Sequence, residues 1–303
     1  MNPSAVIVGN FDGVHKGHQR AATMAVETAR ERGLTTALLT FQPHPAAVVG
    51  AGAPPVLTPP ERKAELVMGL GVDRVFEQRF DSAFALWKPE RFAADLLEKA
   101  LGARVVVVGE NFRFGAQRGG DLACLRDLGL ALGFEVLVCP LTQDARGPFS
   151  STRARTAVQR GDLEDAQATL GRPHAIAGRV VRGDQRGRTI GFPTANLDEV
   201  VELLPRDGVY AVTVDELDAA GEATALGGGV MNVGVRPTVA HGLRRTVETH
   251  LFDLDADLYG RRLRAHLVRR LRDERRFDGL EALMAQIAED ARLAREALAA
   301  HSA

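Results

Sequence analysis

Two cysteines in 303 residues are too few for a disulfide framework. Cys124 and Cys139 lie in apolar or mixed surroundings and match no metal-ligand spacing. They read as reduced core thiols of a cytoplasmic protein. An excess of one charge is missing as well. The formal net charge is −1 at pH 7, which argues against bulk electrostatic binding of nucleic acid or an anionic membrane. No stretch approaches ~20 consecutive apolar residues, so no spanning helix is expected. The opening Met1-Asn2-Pro3-Ser4 carries no basic region followed by an apolar segment, so no signal peptide is expected. Lysine is scarce: Lys16, Lys63, Lys88 and Lys99 are the only ones. The phosphate loop G-x-x-x-x-G-K-S/T is absent, and nucleotide chemistry here needs another cradle. The second half offers no lysine as a nucleophile or Schiff base.

What is present suits a soluble globular protein: 45% of residues are hydrophobic and 25% charged, enough for a substantial core, and the length favours two domains. The first half alternates. Ala5-Val6-Ile7-Val8 is a short apolar run, followed by a helical pattern from about His15 to Arg32. Strands are expected at Thr36–Phe41, Val72–Phe76, Arg104–Val108 and Glu135–Val138. Helices start at Thr58-Pro59-Pro60-Glu61, which has the form of a capping box, and at Pro89. Continuous apolar strands alternating with helices imply a parallel sheet covered on both faces. Arg155–Leu170 reads as a connecting helix. Beyond about Gly171 short strands recur: Ala177–Val181, Thr189–Phe192, Val209–Val214, Gly229–Val235, Thr246–Phe252 and Leu263–Val268. That pattern is an antiparallel barrel or sandwich. Leu280, Leu283, Met284, Ile287, Ala291, Ala294 and Leu298 then give a last helix one apolar face, read as a docking stripe.

Directly after the first strand stands Gly9-Asn10-Phe11-Asp12-Gly13-Val14-His15-Lys16-Gly17-His18. Glycines at a strand end let the backbone turn tightly and approach a ligand. The following helix directs free N–H groups and a positive dipole end at that space. His15 and His18, three apart, share a side of the first turn. Two imidazoles there suit a triphosphate attacked at its α-phosphorus, stabilising the transferring phosphoryl and the departing pyrophosphate. A capped helix with two surface histidines is the bland alternative; zinc is weaker, since no third ligand has matching spacing. Asn111, in Gly109-Glu110-Asn111-Phe112-Arg113-Phe114-Gly115, follows another strand and faces the same crevice or is a plain polar turn. Ser151, Thr152 and Arg155 open a helix, which suits phosphate binding or an ordinary N-cap.

Gly183-Asp184-Gln185-Arg186-Gly187-Arg188-Thr189-Ile190-Gly191-Phe192-Pro193-Thr194-Ala195-Asn196 forms a second constellation. Thr194 and Asn196 point to one side of an extended chain. Neutral oxygens of this kind can hold Mg2+ whose other ligands are water and phosphate. The turn around Gly183, Gly187 and Arg188 can offer N–H groups to phosphates. A β-turn whose Thr and Asn bond their own backbone accounts for the string equally well. Glu248, in Val247-Glu248-Thr249-His250, should share a face with His250 and Phe252. As an inward glutamate among apolar neighbours it suits a general base toward an alcohol; a structural ion pair is the alternative. The charges of Leu271-Arg272-Asp273-Glu274-Arg275-Arg276-Phe277 read by themselves as a solvated face.

These strings resemble the bifunctional bacterial riboflavin kinase/FAD synthetase family. G-N-F-D-G-V-H-K-G-H, Phe41-Gln42-Pro43-His44-Pro45, G-E-N-F-R-F-G and S-S-T-R-A-R are similar to its adenylyltransferase motifs. G-R-T-I-G-F-P-T-A-N, N-V-G-V-R-P-T, V-E-T-H and L-R-D-E-R-R-F are similar to its kinase motifs. The likeness covers about residues 5 to 298. It implies a Rossmann-like nucleotidyltransferase domain over 1–160, with a parallel sheet and helices on both faces. A six-stranded antiparallel riboflavin kinase barrel with a C-terminal helix is implied over 161–303. It implies ATP as co-substrate, riboflavin, FMN and FAD as substrates or products, and Mg2+ at Thr194 and Asn196. By the same correspondence Glu248 is the kinase base, His15 and His18 serve adenylyl transfer, and Gly9, Asn10, Phe11, Asp12, Gly13, Asn111, Ser151, Thr152 and Arg155 line the nucleotide site. Partners are small molecules, with neither nucleic acid nor membrane. A kinase with an inert first domain and a non-catalytic flavin-binding regulator are the competing readings.

Overall fold

Strands that are apolar throughout need cover on both faces, and the first half of the chain provides it. The computed structural model describes residues 2–50, 52–183, 191–238 and 242–302, with the backbone alone at 236–238, 242–244 and 302. Its residues fall into two compact units, Met1–Ser151 and Thr152–Ala303. In the first, β1 (Ser4–Val8), β2 (Thr35–Gln42), β3 (Arg74–Arg79), β4 (Ala103–Gly109) and β5 (Glu135–Cys139) form a parallel sheet in the order 3-2-1-4-5. Successive residues of β1 and β4 feed opposite faces. Val6, Val106 and Val108 pack with Phe92, Leu97 and Leu125, while Ile7, Val105 and Val107 pack with Ala22, Ala25 and Ala29 of α1 (Lys16–Arg32). The buried alanines let α1 lie close on the sheet, and Gly33 ends it in the left-handed region at φ 64°.

The order turns back at the junction of β1 and β4. The loops after these two strands therefore flank the switch point where open sheets bind ligands. The other helices are α2 (Pro45–Val48), α3 (Pro60–Met68), α4 (Ser82–Ala85), α5 (Pro89–Arg91), which runs into a π-helix at Phe92–Ala100, and α6 (Leu122–Leu132). A small hairpin of β6 (Gln143–Asp144) and β7 (Gly147–Pro148) precedes α7 (Ser151–Arg160).

The helical stretch expected over 155–170 is broken. α7 stops at Gly161, whose φ is +74°, and α8 (Leu163–Leu170) starts afresh with Asp162 accepting from the Asp165 N–H at 3.0 Å. Six antiparallel strands then close a barrel: β8 (Ala175–Val181), β9 (Ala195–Asp198), β10 (Gly208–Leu217), β11 (Ala223–Thr238), β12 (Gly242–Leu251) and β13 (Arg262–Arg272), joined in the order β10-β11-β12-β9-β8-β13. Ile176, Leu197, Tyr210, Val212, Met231, Val247 and Leu263 fill its interior. The strand expected at 189–192 is not found at its described end: residues 189 and 190 lie outside the described residues, Gly191 and Phe192 carry no ladder, and the ladder forms at Ala195–Asp198.

One expectation reverses. Along β12 Val247, Thr249 and Leu251 are buried while Glu248 and His250 are half-exposed, so Glu248 lies on the outer face of the barrel and not among its apolar filling. The final helix, α9 (Leu280–Ser302), docks by its C-terminal part. Ala294 and Ala297 pack on Ala211, and Leu298 lies against Gly228, where a Cβ would come within 2.5 Å of its Cδ1. Leu280 and Met284, at the other end of the expected stripe, are exposed.

Candidate active sites

In the first unit the chain leaves β1 through a loop that doubles back three times into positive φ: Phe11 at 52°, Gly13 at 85° and Val14 at 40°. Strain of that kind persists only where surrounding bonds over-determine it. Asp12 supplies them. Its buried carboxylate accepts the N–H groups of Leu57 (3.0 Å) and Thr58 (2.9 Å), and the Thr58 hydroxyl accepts the Gly13 N–H at 2.5 Å. Thr58 is therefore not the helix cap that its string suggests: α3 has Pro59 at its N-cap and no side-chain cap bond. The hydroxyl is spent on the loop. Asn10 is held by its carbonyl, which accepts from Thr40 Oγ1 at 3.0 Å, and by its carboxamide, which meets His44 Nε2 at 3.2 Å.

The expectation that His15 and His18 share one side of the helix start agrees with the geometry. Their rings stack at 3.6 Å between centroids, and Phe11 stacks on the far side of His18 at 4.3 Å. Gly17 makes room, since a Cβ there would stand 3.0 Å from the His15 ring. Nδ1 of His18 is buried without a hydrogen-bond partner among the described residues. Burial first, then the nearness of His15 and Lys63, holds the His18 pKa well below 6.5. The ring is thus neutral and can still donate one N–H. No side chain caps α1, which leaves its first-turn amides available to an anion.

Other expected residues reach the same end of the sheet. Ser151 Oγ donates to the Asp12 carbonyl at 2.8 Å. Asn111, exposed after β4, folds its carboxamide toward Gly109. The N–H groups of Gly9 and Gly13 are engaged within the protein, with Leu39 and Thr58, so these glycines shape the loop. Thr152 and Arg155 belong to α7 in the second unit. Lys63, read from the sequence only as one of four lysines, is buried on α3 with Nζ 3.1 Å from Thr40 Oγ1. Burial lowers its pKa, against the pull of Asp12 and Glu77. A capping-like string followed by E-R-K-A-E gives no signal for a buried cation.

In the second unit the ladder brings three polar residues side by side. Asn196 of β9 pairs with Glu248 of β12, and Glu248 pairs with Asn232 of β11. Directly opposed residues share a face, here the outer one. Thr194 lies on the same side as Asn196, because Ala195 and Leu197 point into the barrel. Gly183 is needed beside them: a Cβ would stand 2.5 Å from Asn196 Nδ2. His250 Nδ1 meets the Pro193 carbonyl at 2.8 Å and pins the segment that carries Thr194. A cavity of about 610 Å3 adjoins Thr194 and Asn196; it is lined as well by Gly183 and Tyr259 and by the inward-facing Ala195, Thr249 and Leu251, and Glu248 is not among its lining residues. That volume suits a drug-sized ligand. Gly187 and Arg188 lie outside the described residues.

Among the described residues no three His, Cys, Asp or Glu side chains gather into a metal cluster. A hydroxyl and a carboxamide oxygen, aligned beside a carboxylate and over a glycine that admits them, fit a hard cation completed by phosphate and water. Sequence reasoning passed over Glu274. Its carboxylate fills the space above Gly234 and accepts from Asn232 Nδ2 at 3.2 Å, next to the Asn196–Glu248 row. Only its place in a charged run was visible in the sequence.

Residues 1–153 match the FAD synthetase family and residues 170–298 match the riboflavin kinase family. Curated relatives described as bifunctional riboflavin kinase/FMN adenylyltransferase share these halves in one chain. The protein of Escherichia coli K12 is 42% identical over 290 residues, 95% of this chain and 91% of that one. That of Pseudomonas fluorescens is 39% identical over 98% of this chain and 93% of its own. That of Bacillus subtilis is 36% identical over 95% and 90%. A crystal structure described as a macrolide-efflux protein from Streptococcus pneumoniae superposes with a TM-score of 0.86 and 31% identity, covering 97% of this chain and 95% of that one. None of the described helices is long and apolar enough to cross a membrane.

Proposed function

This chain belongs to the bifunctional riboflavin kinase/FMN adenylyltransferase family, and from that premise we propose how its residues divide the work. The protein is an ATP-dependent enzyme of flavin cofactor synthesis. Its C-terminal module phosphorylates riboflavin to FMN, and its N-terminal module adenylylates FMN to FAD. We assign adenylyl transfer to residues 1–160 and the kinase to 161–303, working in the cytoplasm, where ATP is at hand and Cys124 and Cys139 stay reduced.

The observation that carries the residue assignment is the Asn196–Glu248 register pair on the outer face of the barrel. Glu248 accepts the proton of the riboflavin 5′-hydroxyl as its oxygen forms the new bond to the γ-phosphorus of ATP and ADP departs. Thr194 and Asn196 would hold Mg2+, whose charge would neutralise the phosphate oxygens. We assign the phosphate chain to Gly183, Gly187 and Arg188.

In the first unit an oxygen of the FMN phosphate attacks the α-phosphorus of ATP, and pyrophosphate leaves. His18 and His15 donate N–H bonds to the oxygens that gain charge, and the first-turn amides of α1 add theirs. Negative charge brought by ATP opposes the effect of burial on His18, so the neutral ring is poised to strengthen its bond as charge develops. Asn10, Asn111 and Ser151 bind the nucleotide from the loops around the switch point. Gly9, Phe11, Asp12 and Gly13 keep that loop open.

Incubating the purified protein with riboflavin, ATP and Mg2+, and resolving flavins over time, tests the division. FMN should appear first and FAD after it. His18→Ala should abolish FAD while sparing FMN. Glu248→Gln should abolish FMN from riboflavin while FAD still forms from supplied FMN. A folded His18→Ala protein that loses both activities refutes separate sites.

A further inference from the structure

Lys63 is a buried cation to which neither reaction above gives a task. It is 6% exposed on α3, and its Nζ donates to Thr40 Oγ1 at 3.1 Å. That hydroxyl in turn donates to the Asn10 carbonyl at 3.0 Å. The ammonium therefore sits at the carboxyl end of β2, beside the loop that follows β1, at the end of the sheet where open folds take their ligands. An ammonium has three N–H donors. Among the described residues the Thr40 hydroxyl is its one hydrogen-bond partner, and no carboxylate oxygen lies within 4.0 Å of Nζ. Asp12 is turned to the amides of Leu57 and Thr58, and Glu77 is exposed on β3 opposite Thr40. A charge buried with two unused donors is costly for the protein alone, and the cost is recovered when an anion arrives. Methionine or leucine would fill the same space without it.

We propose that Lys63 is a phosphate ligand of the first unit, donating its two remaining N–H groups to phosphate oxygens held in front of the Asn10 loop. The inference rests on the placing of adenylyl transfer in that unit. Phosphate reaches the site from two sources, the polyphosphate of ATP and the monophosphate of FMN. The chemistry recognised is the same, and kinetics separate them.

The test uses the full-length chain carrying Lys63→Met or Lys63→Arg, beside wild type and His18→Ala. FMN formation from riboflavin is the internal control and should stay within about twofold, because the kinase residues lie in the other unit. Lys63→Met should lose about 100-fold in kcat/KM for FAD formation, the weight of two charge-assisted bonds. Lys63→Arg should recover at least about tenfold of that, since it keeps the cation. A rise in KM for ATP assigns the polyphosphate as partner, and a rise in KM for FMN assigns the monophosphate. The second readout is the fluorescence of Trp87, the one tryptophan of the chain, which is half-buried and packs against the first unit's core. Inorganic pyrophosphate should raise the Trp87 unfolding temperature of wild type and of Lys63→Arg, and leave that of Lys63→Met unmoved.

FAD formation by Lys63→Met within about threefold of wild type overturns the proposal. So does a pyrophosphate shift of wild-type size in that variant. Should Lys63→Met show no cooperative Trp87 transition, Lys63→Arg decides alone: a folded arginine variant blind to pyrophosphate overturns it, and one that responds supports it. If wild type forms no FAD, the adenylyl-transfer reading itself fails. If His18→Ala abolishes FAD and Lys63→Met does not, only the lysine proposal falls.

Discussion

Lowering the pH from about 8 to about 5 tests the ring stack of the first unit without any substrate. His18 is sandwiched between Phe11 and His15, and burial, with His15 and Lys63 nearby, holds its pKa well below 6.5. In the unfolded chain the same ring titrates near 6.5. Above that value neither state binds the proton, and His18 contributes no pH dependence. Below it the unfolded chain takes up a proton that the folded ring refuses, so unfolding is favoured until the depressed folded pKa is reached. The limiting slope is 2.303RT, about 1.4 kcal/mol lost per pH unit. Against a domain stability of ~5–15 kcal/mol, one unit is already measurable. Trp87 confines the readout to the first unit, so urea unfolding followed by its fluorescence reports that unit. Other acids and histidines also titrate, and the quantity to read is the difference between wild type and His18→Gln, which removes this ring alone. The difference should be flat at and above neutral pH and should bend downward by up to about 1.4 kcal/mol per unit on the acid side. Parallel curves through the whole range refute the buried neutral ring. A difference of opposite sign means that the ring has gained an anionic partner.

Four further outcomes follow, three from close contacts and one from the assigned metal. Gly120→Ala places a Cβ 2.6 Å from the Phe114 ring, which is itself in the core, and should destabilise the first unit by about 1–3 kcal/mol in Trp87-detected unfolding while FMN formation is unchanged. Asp290, 2% exposed, accepts Arg272 Nε and Nη2 at 2.8 and 2.7 Å and Gln286 Nε2 at 2.7 Å, so Asp290→Ala should loosen α9 and lower second-unit stability by about 2–4 kcal/mol in thermal unfolding read by far-UV circular dichroism. Chelating divalent cations should stop FMN formation, with Mg2+ restoring it. Gly183→Ala should reproduce Asn196→Ala by raising the Mg2+ concentration needed for half-maximal rate about tenfold or more, because its Cβ would stand 2.5 Å from the Asn196 carboxamide.

Much of the architecture was legible because it rests on patterns of short range. The valines of β4 demand cover on both faces, and the sheet gives it. The three-residue spacing of His15 and His18 places both on one turn, and the rings meet. Strand alternation puts Glu248, His250 and Phe252 together. What alternation does not contain is the direction of that face. The inside of a barrel is defined by six strands at once, and β12 turns Val247 and Thr249 inward because β9 and β11 bring Leu197, Met231 and Val233 to meet them. A glutamate between two inward residues must then face out. The error is one of sign, and it shifts the expected chemistry from a desolvated carboxylate in a core to one on an outer wall beside Asn196 and Asn232.

The residues that stayed invisible share a different cause. Thr58 satisfies a local rule for a helix start, yet its hydroxyl goes to Gly13 and its amide to Asp12, 46 residues earlier. Lys63 and Glu274 sit in strings rich in charge, where a solvated face is the sensible reading. Their placing is decided by partners far along the chain: Thr40 for the buried lysine, Gly234 and Asn232 for the exposed glutamate. A motif reports groups that touch substrate together because they are close in sequence. Groups that brace or complete the site from a distance carry no local constraint beyond being the right size and charge. In this chain the loop after β1 shows the consequence: its recognisable histidines and glycines keep their geometry only because Asp12 is locked to Leu57 and Thr58, and Asn10 to Thr40. Removing that distant pair of anchors should silence the motif while leaving every residue of the motif in place.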